Sequence, residues 1–133
     1  MINLILFCTF CLLVCSLQIN IFCKIISGTE PAKFHYEQVD FVVFENNLGW
    51  FPTQLLFVPK NHMTQSDLWS TRDLISEMGY LANQMGQERC PGGYRIISNF
   101  GEDGMQSQKH AHIHLVGGTK LGMYVWLSLI HIC

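Results

Sequence analysis

Charge is scarce in this chain. Only 14% of its 133 residues are Asp, Glu, Lys or Arg, and eight basic residues against ten acidic ones leave a formal net charge of −2. That balance supplies no basic surface for a nucleic-acid polymer, so a phosphate-bearing ligand has to be a small molecule held by local donors. The first 23 residues contain no charged side chain at all. Residues 4–17 are mostly apolar yet lack the Lys or Arg that ordinarily precedes the apolar region of a secretory signal. Three readings of this leader stay open. It is a signal ending near Val14-Cys15-Ser16, or a membrane anchor interrupted by Ser16, Gln18 and Asn20 near the minimum length for a span, or an extension unrelated to the domain. Membrane contact is therefore expected only through residues 1–20, and the localisation is cytoplasmic, secretory or anchored according to which reading holds.

Internal repeats and low-complexity segments are absent, which excludes repeat architectures and long disordered tracts. Cysteine is also short where it would matter. Cys8, Cys11 and Cys15 fall in the apolar leader, and the remaining Cys23, Cys90 and Cys133 are an odd set without a pairing motif. That count argues against a disulfide framework, and Cys8-Thr-Phe-Cys11 has CxxC spacing without a second pair to make it a metal or redox site.

What the chain does have is apolar material, 49% hydrophobic residues with a mean hydropathy of +0.21, enough for one domain with a sizeable core. Residues 33–37 and 40–45 read as a hairpin, followed by turn chemistry at Asn46-Asn47-Leu48-Gly49. Residues 54–58 form a near-continuous apolar run of the kind found in central strands, closed by Pro59. Between residues 67 and 87, Leu74, Ile75, Met78, Leu81, Ala82 and Met85 recur every three or four positions and predict one principal helix, with Leu68 and Trp69 either extending its stripe or in a preceding turn, Ser66 or Ser70 as its N-cap and Met78 and Met85 in the core. Pro91-Gly92-Gly93 stops it. Residues 94–99 and 110–116 read as two further strands. The order β-β-β-α-β-β predicts an α+β domain, an antiparallel sheet with a helix packed on it.

Half of the six histidines lie within five residues, at His110, His112 and His114. In a strand, residues two apart share a face at about 6.5–7 Å spacing, so the three imidazoles line one side while Ala111, Ile113 and Leu115 enter the core. Such a row can serve as nucleophile, proton carrier or metal ligand. The preceding loop, Asn99-Phe-Gly-Glu-Asp-Gly-Met-Gln-Ser107, adds carboxamides, a hydroxyl and two glycines whose exposed N–H groups suit an anion. A metal site is the main rival to phosphate chemistry, because neutral imidazoles bind zinc; Cys90, His62 and His131 are the other candidate ligands but stand in no ligand spacing. His62 reads equally as a strand-capping residue and as a wall of the site, Asn99 equally as a turn former and as a ligand contact, and His35 and His131 as surface residues.

Together, residues 99–118, with Gly101, Asp103, Gly104, Gln106, Ser107 and His-Ala-His-Ile-His-Leu-Val-Gly-Gly, resemble the histidine triad (HIT) family, and within it the Hint-like branch of nucleotide-binding hydrolases. Ile21-Phe-Cys-Lys-Ile-Ile-Ser-Gly-Thr-Glu-Pro-Ala and Val58-Pro-Lys-Asn-His62 extend the resemblance. It implies a HIT domain over residues 21–125, set between the leader and an atypical tail at 126–133, with an antiparallel sheet of about five strands that dimerises. It also implies cleavage of a substituent from the α-phosphate of purine nucleotide conjugates, phosphoramidates among them, without metal or other cofactor. In that scheme His112 attacks phosphorus, His114 holds the phosphate oxygens, His110 supports them and Ser107 protonates the leaving group. Asn99 and Gln106 would position phosphate and ribose, with His62, Gly104 and Met105 completing the nucleotide-binding wall. The chain departs from its relatives at Asn46 and Asn47, where many carry an acid, at Gln54, where a histidine is common, and at Met105, where the residue is usually small. A binding module with little turnover, acting through a protein partner, is the second expectation.

Overall fold

The computed structural model describes residues 20–123, so most of the leader, and the tail with His131 and Cys133, lie outside the described residues. A five-stranded sheet, antiparallel throughout, organises the domain in the order β1-β2-β3-β5-β4. The strands are β1 (Phe34–Glu37), β2 (Phe41–Glu45), β3 (Thr53–Pro59), β4 (Tyr94–Ile97) and β5 (Ile113–Gly117). The apolar run of β3 takes the centre because both its faces are covered, and every residue from Gln54 to Pro59 is buried. β2 and β3 are locked in one register, with Val43 opposite Phe57 and Phe44 opposite Leu56.

Period-two alternation sends these side chains into two separate clusters. On one face Phe41, Val43, Leu55, Phe57, Ala111, Ile113 and Leu115 pack with Leu68, Met78 and Ala82 from the helices. On the other face Val42, Phe44, Leu56 and Val58 meet Phe22 and Ile25. Those two residues belong to a short helix, α1 (Ile21–Ile26), whose N-cap Asn20 accepts the Cys23 N–H at 3.0 Å. Six residues are too few for a periodic pattern, so α1 escapes a reading by helical spacing.

Four readings from the sequence differ in the structure. The single helix expected over residues 67–87 is two helices, α2 (Gln65–Ser70) and α3 (Arg72–Arg89), separated by Thr71 at φ −90°, ψ 83°. Thr64, not Ser66 or Ser70, starts α2, because it completes a capping box with Asp67, while the Ser70 hydroxyl donates to the Ser66 carbonyl. The last strand begins at Ile113 rather than at His110, since the backbone before it bonds to the β3–α2 connection instead of to a strand: Ala111 N–H reaches the Met63 carbonyl at 2.9 Å. His35 is no free surface residue either. It lies between Glu45 at 3.2 Å and Arg89 at 3.0 Å, tying β1 to the end of α3.

Candidate functional site

The alternation read from the sequence survives even though the strand starts late. Ala111, Ile113 and Leu115 enter the core beneath α2 and α3, which leaves His110, His112 and His114 on the side of the sheet that faces α1. His110 and His112 are buried and His114 is half-buried. The rings of His112 and His114 meet edge to face at 4.9 Å, and Phe22 of α1 stands edge-on to His112 at 5.1 Å.

Two backbone carbonyls fix the ring tautomers. His112 Nδ1 lies 2.8 Å from the His110 carbonyl, and since a carbonyl only accepts, Nδ1 carries the proton and Nε2 the lone pair. His110 is held the opposite way round, with Nε2–H donating to the Pro59 carbonyl at 2.7 Å. Burial pushes all three imidazoles below their ordinary pKa. His110 reaches about 4, against the pull of its Pro59 bond and helped by the neighbouring His62 and His112. His114 also reaches about 4, with His112 as the second cause, and His112 moves down despite its bond to His110. At neutral pH the row is therefore uncharged, the state in which an imidazole attacks or ligates.

A cleft of about 710 Å³ opens on this face. His112, His114, Asn99, Met105 and Ser107 all line it, so the loop before β5 does come beside the imidazoles. Its walls are largely apolar, with Phe22, Ile25, Phe44 and Leu56 among them, and the β2–β3 region adds Asn46, Asn47 and Gln54 beside Leu48 and Trp50. Met105 is held at φ 58°, in the left-handed region, and projects outward with 81% of its surface exposed. Gln54 is buried and accepts the Trp50 N–H at 3.2 Å, so it shapes the loop at the mouth of the cleft.

Four of the predicted site residues do not line the cleft. Gln106 commits its carboxamide to the loop itself, accepting from Gly101 N–H and donating to the Gln108 carbonyl, each at 2.9 Å. Gly104 lets the loop close on itself: a Cβ there would collide with the Phe100 carbonyl. His62 and His110 instead meet each other, ring centroids 4.8 Å apart, and share a neighbour that the sequence reading passed over. The Cys23 thiol lies 3.4 Å from Nδ1 of each histidine. The one ligand atom that each of Cys23, His62 and His110 offers lies within 4.8 Å of the others. These residues are 39 and 87 positions apart, so no ligand spacing in the sequence could have announced them. Phe22 was missed for a related reason: it sits in the short α1 and reaches the histidines only through the fold.

With this geometry in view, comparison with known proteins is specific. Residues 20–124 match the family described as scavenger mRNA decapping enzyme C-term binding. An uncharacterized HIT-like protein of Chlamydia muridarum is 37% identical over 109 residues, covering 77% of this chain and 84% of that protein. Among solved structures, a HIT family hydrolase from Clostridium thermocellum superposes with a TM-score of 0.71 at 28% identity, covering 79% of this chain and 95% of the other. A zinc-bound histidine triad family protein from Mycobacterium smegmatis superposes with a TM-score of 0.66 at 27% identity, covering 77% and 79%. The five-stranded sheet, the alternating imidazoles of residues 110–114 and the match across almost all of the described residues agree: the chain belongs to the histidine triad family.

Proposed function

We propose that this chain hydrolyses purine nucleoside monophosphate conjugates, phosphoramidates among them, at the bond between the α-phosphate and its substituent. The observation that carries the reading is the tautomer of His112. Its Nδ1–H is committed to the His110 carbonyl, which leaves Nε2 with a free lone pair, in a ring kept neutral by burial, on the wall of the cleft. Nε2 forms a bond to the α-phosphorus as the phosphorus–substituent bond breaks, and the departing group takes the Ser107 hydroxyl proton. Water then attacks the same phosphorus, breaking the nucleotidyl–histidine bond and returning a proton to Ser107. His114 stabilises the charge that builds on the phosphoryl oxygens. The apolar walls Phe22, Ile25 and Phe44 suit a flat base, and the amides of Asn46, Asn47 and Gln54 suit ribose hydroxyls. Incubating the protein with an adenosine phosphoramidate and following AMP by chromatography tests the reading. Multiple turnovers support it, whereas tight AMP binding with no release at high protein concentration establishes a binding module instead.

The same reading expects a homodimer. We place the second copy against β4, because the other edge strand, β1, is blunted by a bulge between Phe34 and Tyr36 and by the Lys60–Glu37 ion pair. Light scattering on the full chain is expected to give twice its 15.2 kDa mass.

The Cys23–His62–His110 cluster favours a second, compatible role for this part of the domain. Its three donors are those zinc prefers, and the Pro59 carbonyl holds the His110 ring by Nε2 while Nδ1 faces the thiol, the arrangement that orients a metal-ligating histidine. A zinc ion there would tie α1 to the β3–α2 connection and to the segment before β5. Metal analysis is expected to find zinc in the wild type and none in Cys23→Ala. At free zinc about 100-fold above Kd, binding adds about 2.7 kcal/mol to stability, or roughly 10 °C in Tm for a domain of this size. A chelator that leaves Tm unchanged removes this role without touching the hydrolase reading.

A further inference from the structure

The residue read as the nucleophile sits where the sheet has no strand to hold it. The β3–β5 ladder ends at the pair Phe57↔Ile113 and the β4–β5 ladder at Ile97↔His114, both short of His112. The side chain of Gln65, the first residue of α2 and only 3% exposed, takes the empty place. Its Oε1 accepts the His112 N–H at 2.9 Å, and its Nε2 donates to the His112 carbonyl at 2.8 Å. One carboxamide thereby makes the two bonds that an antiparallel neighbour makes with a hydrogen-bonded partner residue. The second Nε2 hydrogen goes to Ser98 Oγ, which also accepts from Trp69 Nε1 at 2.9 Å. The amide has one workable orientation, because reversing it would set donor against donor and carbonyl against carbonyl.

This pairing bears directly on the ring. The bond from His112 Nδ1 to the His110 carbonyl joins residues two apart, so its length depends on the backbone angles of Ala111 and His112. Gln65 pins one end of that stretch, and the bond from Ala111 N–H to the Met63 carbonyl pins the other. Without Gln65 the His112 peptide groups lose partners they cannot replace from a strand, and the segment relaxes toward other bonds.

We propose that Gln65 is a positioning residue for His112, a side-chain substitute for a missing strand that holds the imidazole in the one tautomer and place where Nε2 can attack. The proposal rests on the hydrolase reading for its kinetic consequence, though not for its structural one. Gln65→Met in the full chain keeps length and volume but makes neither bond. Against an adenosine phosphoramidate, kcat is expected to fall about 10- to 100-fold while AMP Kd stays within about threefold, the mark of lost alignment rather than lost binding. In 15N-histidine spectra the His112 ring is expected to be the Nδ1–H form in the wild type and a mixture of tautomers in the variant. If Gln65→Met does not fold, Gln65→Ala carries the same test, since it too makes neither bond to the His112 peptide groups and leaves room for water to satisfy them. Unchanged kcat with the Nδ1–H form intact overturns the proposal, as does a fall in activity matched by an equal fall in AMP affinity. Should the wild type release no AMP, the hydrolase reading fails on its own, and the ring spectra, which need no substrate, still decide the role of Gln65.

Discussion

His112→Ala is expected to lower AMP release from an adenosine phosphoramidate by about 10⁴-fold or more, with AMP still bound. The size follows from the role. A nucleophile that splits one displacement into two cannot be replaced by its neighbours, and His110 is unavailable because its Nε2–H is committed to the Pro59 carbonyl. His114→Ala should cost less, about 10²- to 10³-fold, because it removes transition-state stabilisation and leaves the attacking atom in place. Binding survives in His112→Ala because the apolar side chains Phe22, Ile25, Phe44 and Leu56 remain on the cleft wall. Truncating this buried ring leaves a cavity and takes the donor from the His110 carbonyl, so Tm should fall as well, and turnover is compared well below the lowered Tm. Rapid-quench measurement of covalently bound nucleotide separates the steps: the wild type should accumulate or pass through a nucleotidyl–protein species that His112→Ala never forms. A variant that retains a tenth of wild-type turnover would remove His112 from the role of nucleophile.

How much of this was legible in the chain depends on whether a signal was periodic or assembled. Alternation in residues 110–116 correctly sent Ala111, Ile113 and Leu115 to the core, because period two is a local property of extended backbone. The start of β5 was misplaced for the same reason: alternation reports extended conformation, not whether a neighbouring strand is present to pair. Likewise the apolar stripe from Leu74 to Met85 marked α3, but Thr64 and Asp67 start a separate helix by capping, which the stripe does not register. The loop residues divide on similar lines. Asn99, Met105 and Ser107 reach the cleft, while Gln106 closes on its own loop, and nothing in the order of residues distinguishes a carboxamide turned inward from one turned out. The Cys23–His62–His110 cluster and the Gln65–His112 pairing join positions 39 to 87 apart in the chain, so only the folded topology could reveal them.

Phe22→Ala should damage the fold and the cleft together. Phe22 is 6% exposed and stands edge-on to Phe44 at 5.8 Å, His110 at 6.1 Å and His112 at 5.1 Å, so one ring fills the space between α1, the sheet and the imidazoles. Truncating a buried Phe costs about 3–5 kcal/mol, a large share of the 5–15 kcal/mol that holds a domain together. For a domain of this size that is a fall in Tm of roughly 15 °C or more. α1 packs on the sheet only through Phe22 and Ile25 among its fully buried residues, so the lost contact loosens the whole segment. Function should fail in a particular order. The cleft loses an apolar wall, so AMP Kd rises first, and water reaching His112 weakens the burial that keeps its ring neutral. Phe22→Leu, which restores most of the volume without the ring edge, should recover most of the stability but less of the affinity. Thermal unfolding and AMP titration on the three proteins decide the matter, and a Tm for Phe22→Ala within about 3 °C of wild type would show that the α1 face carries little of the fold.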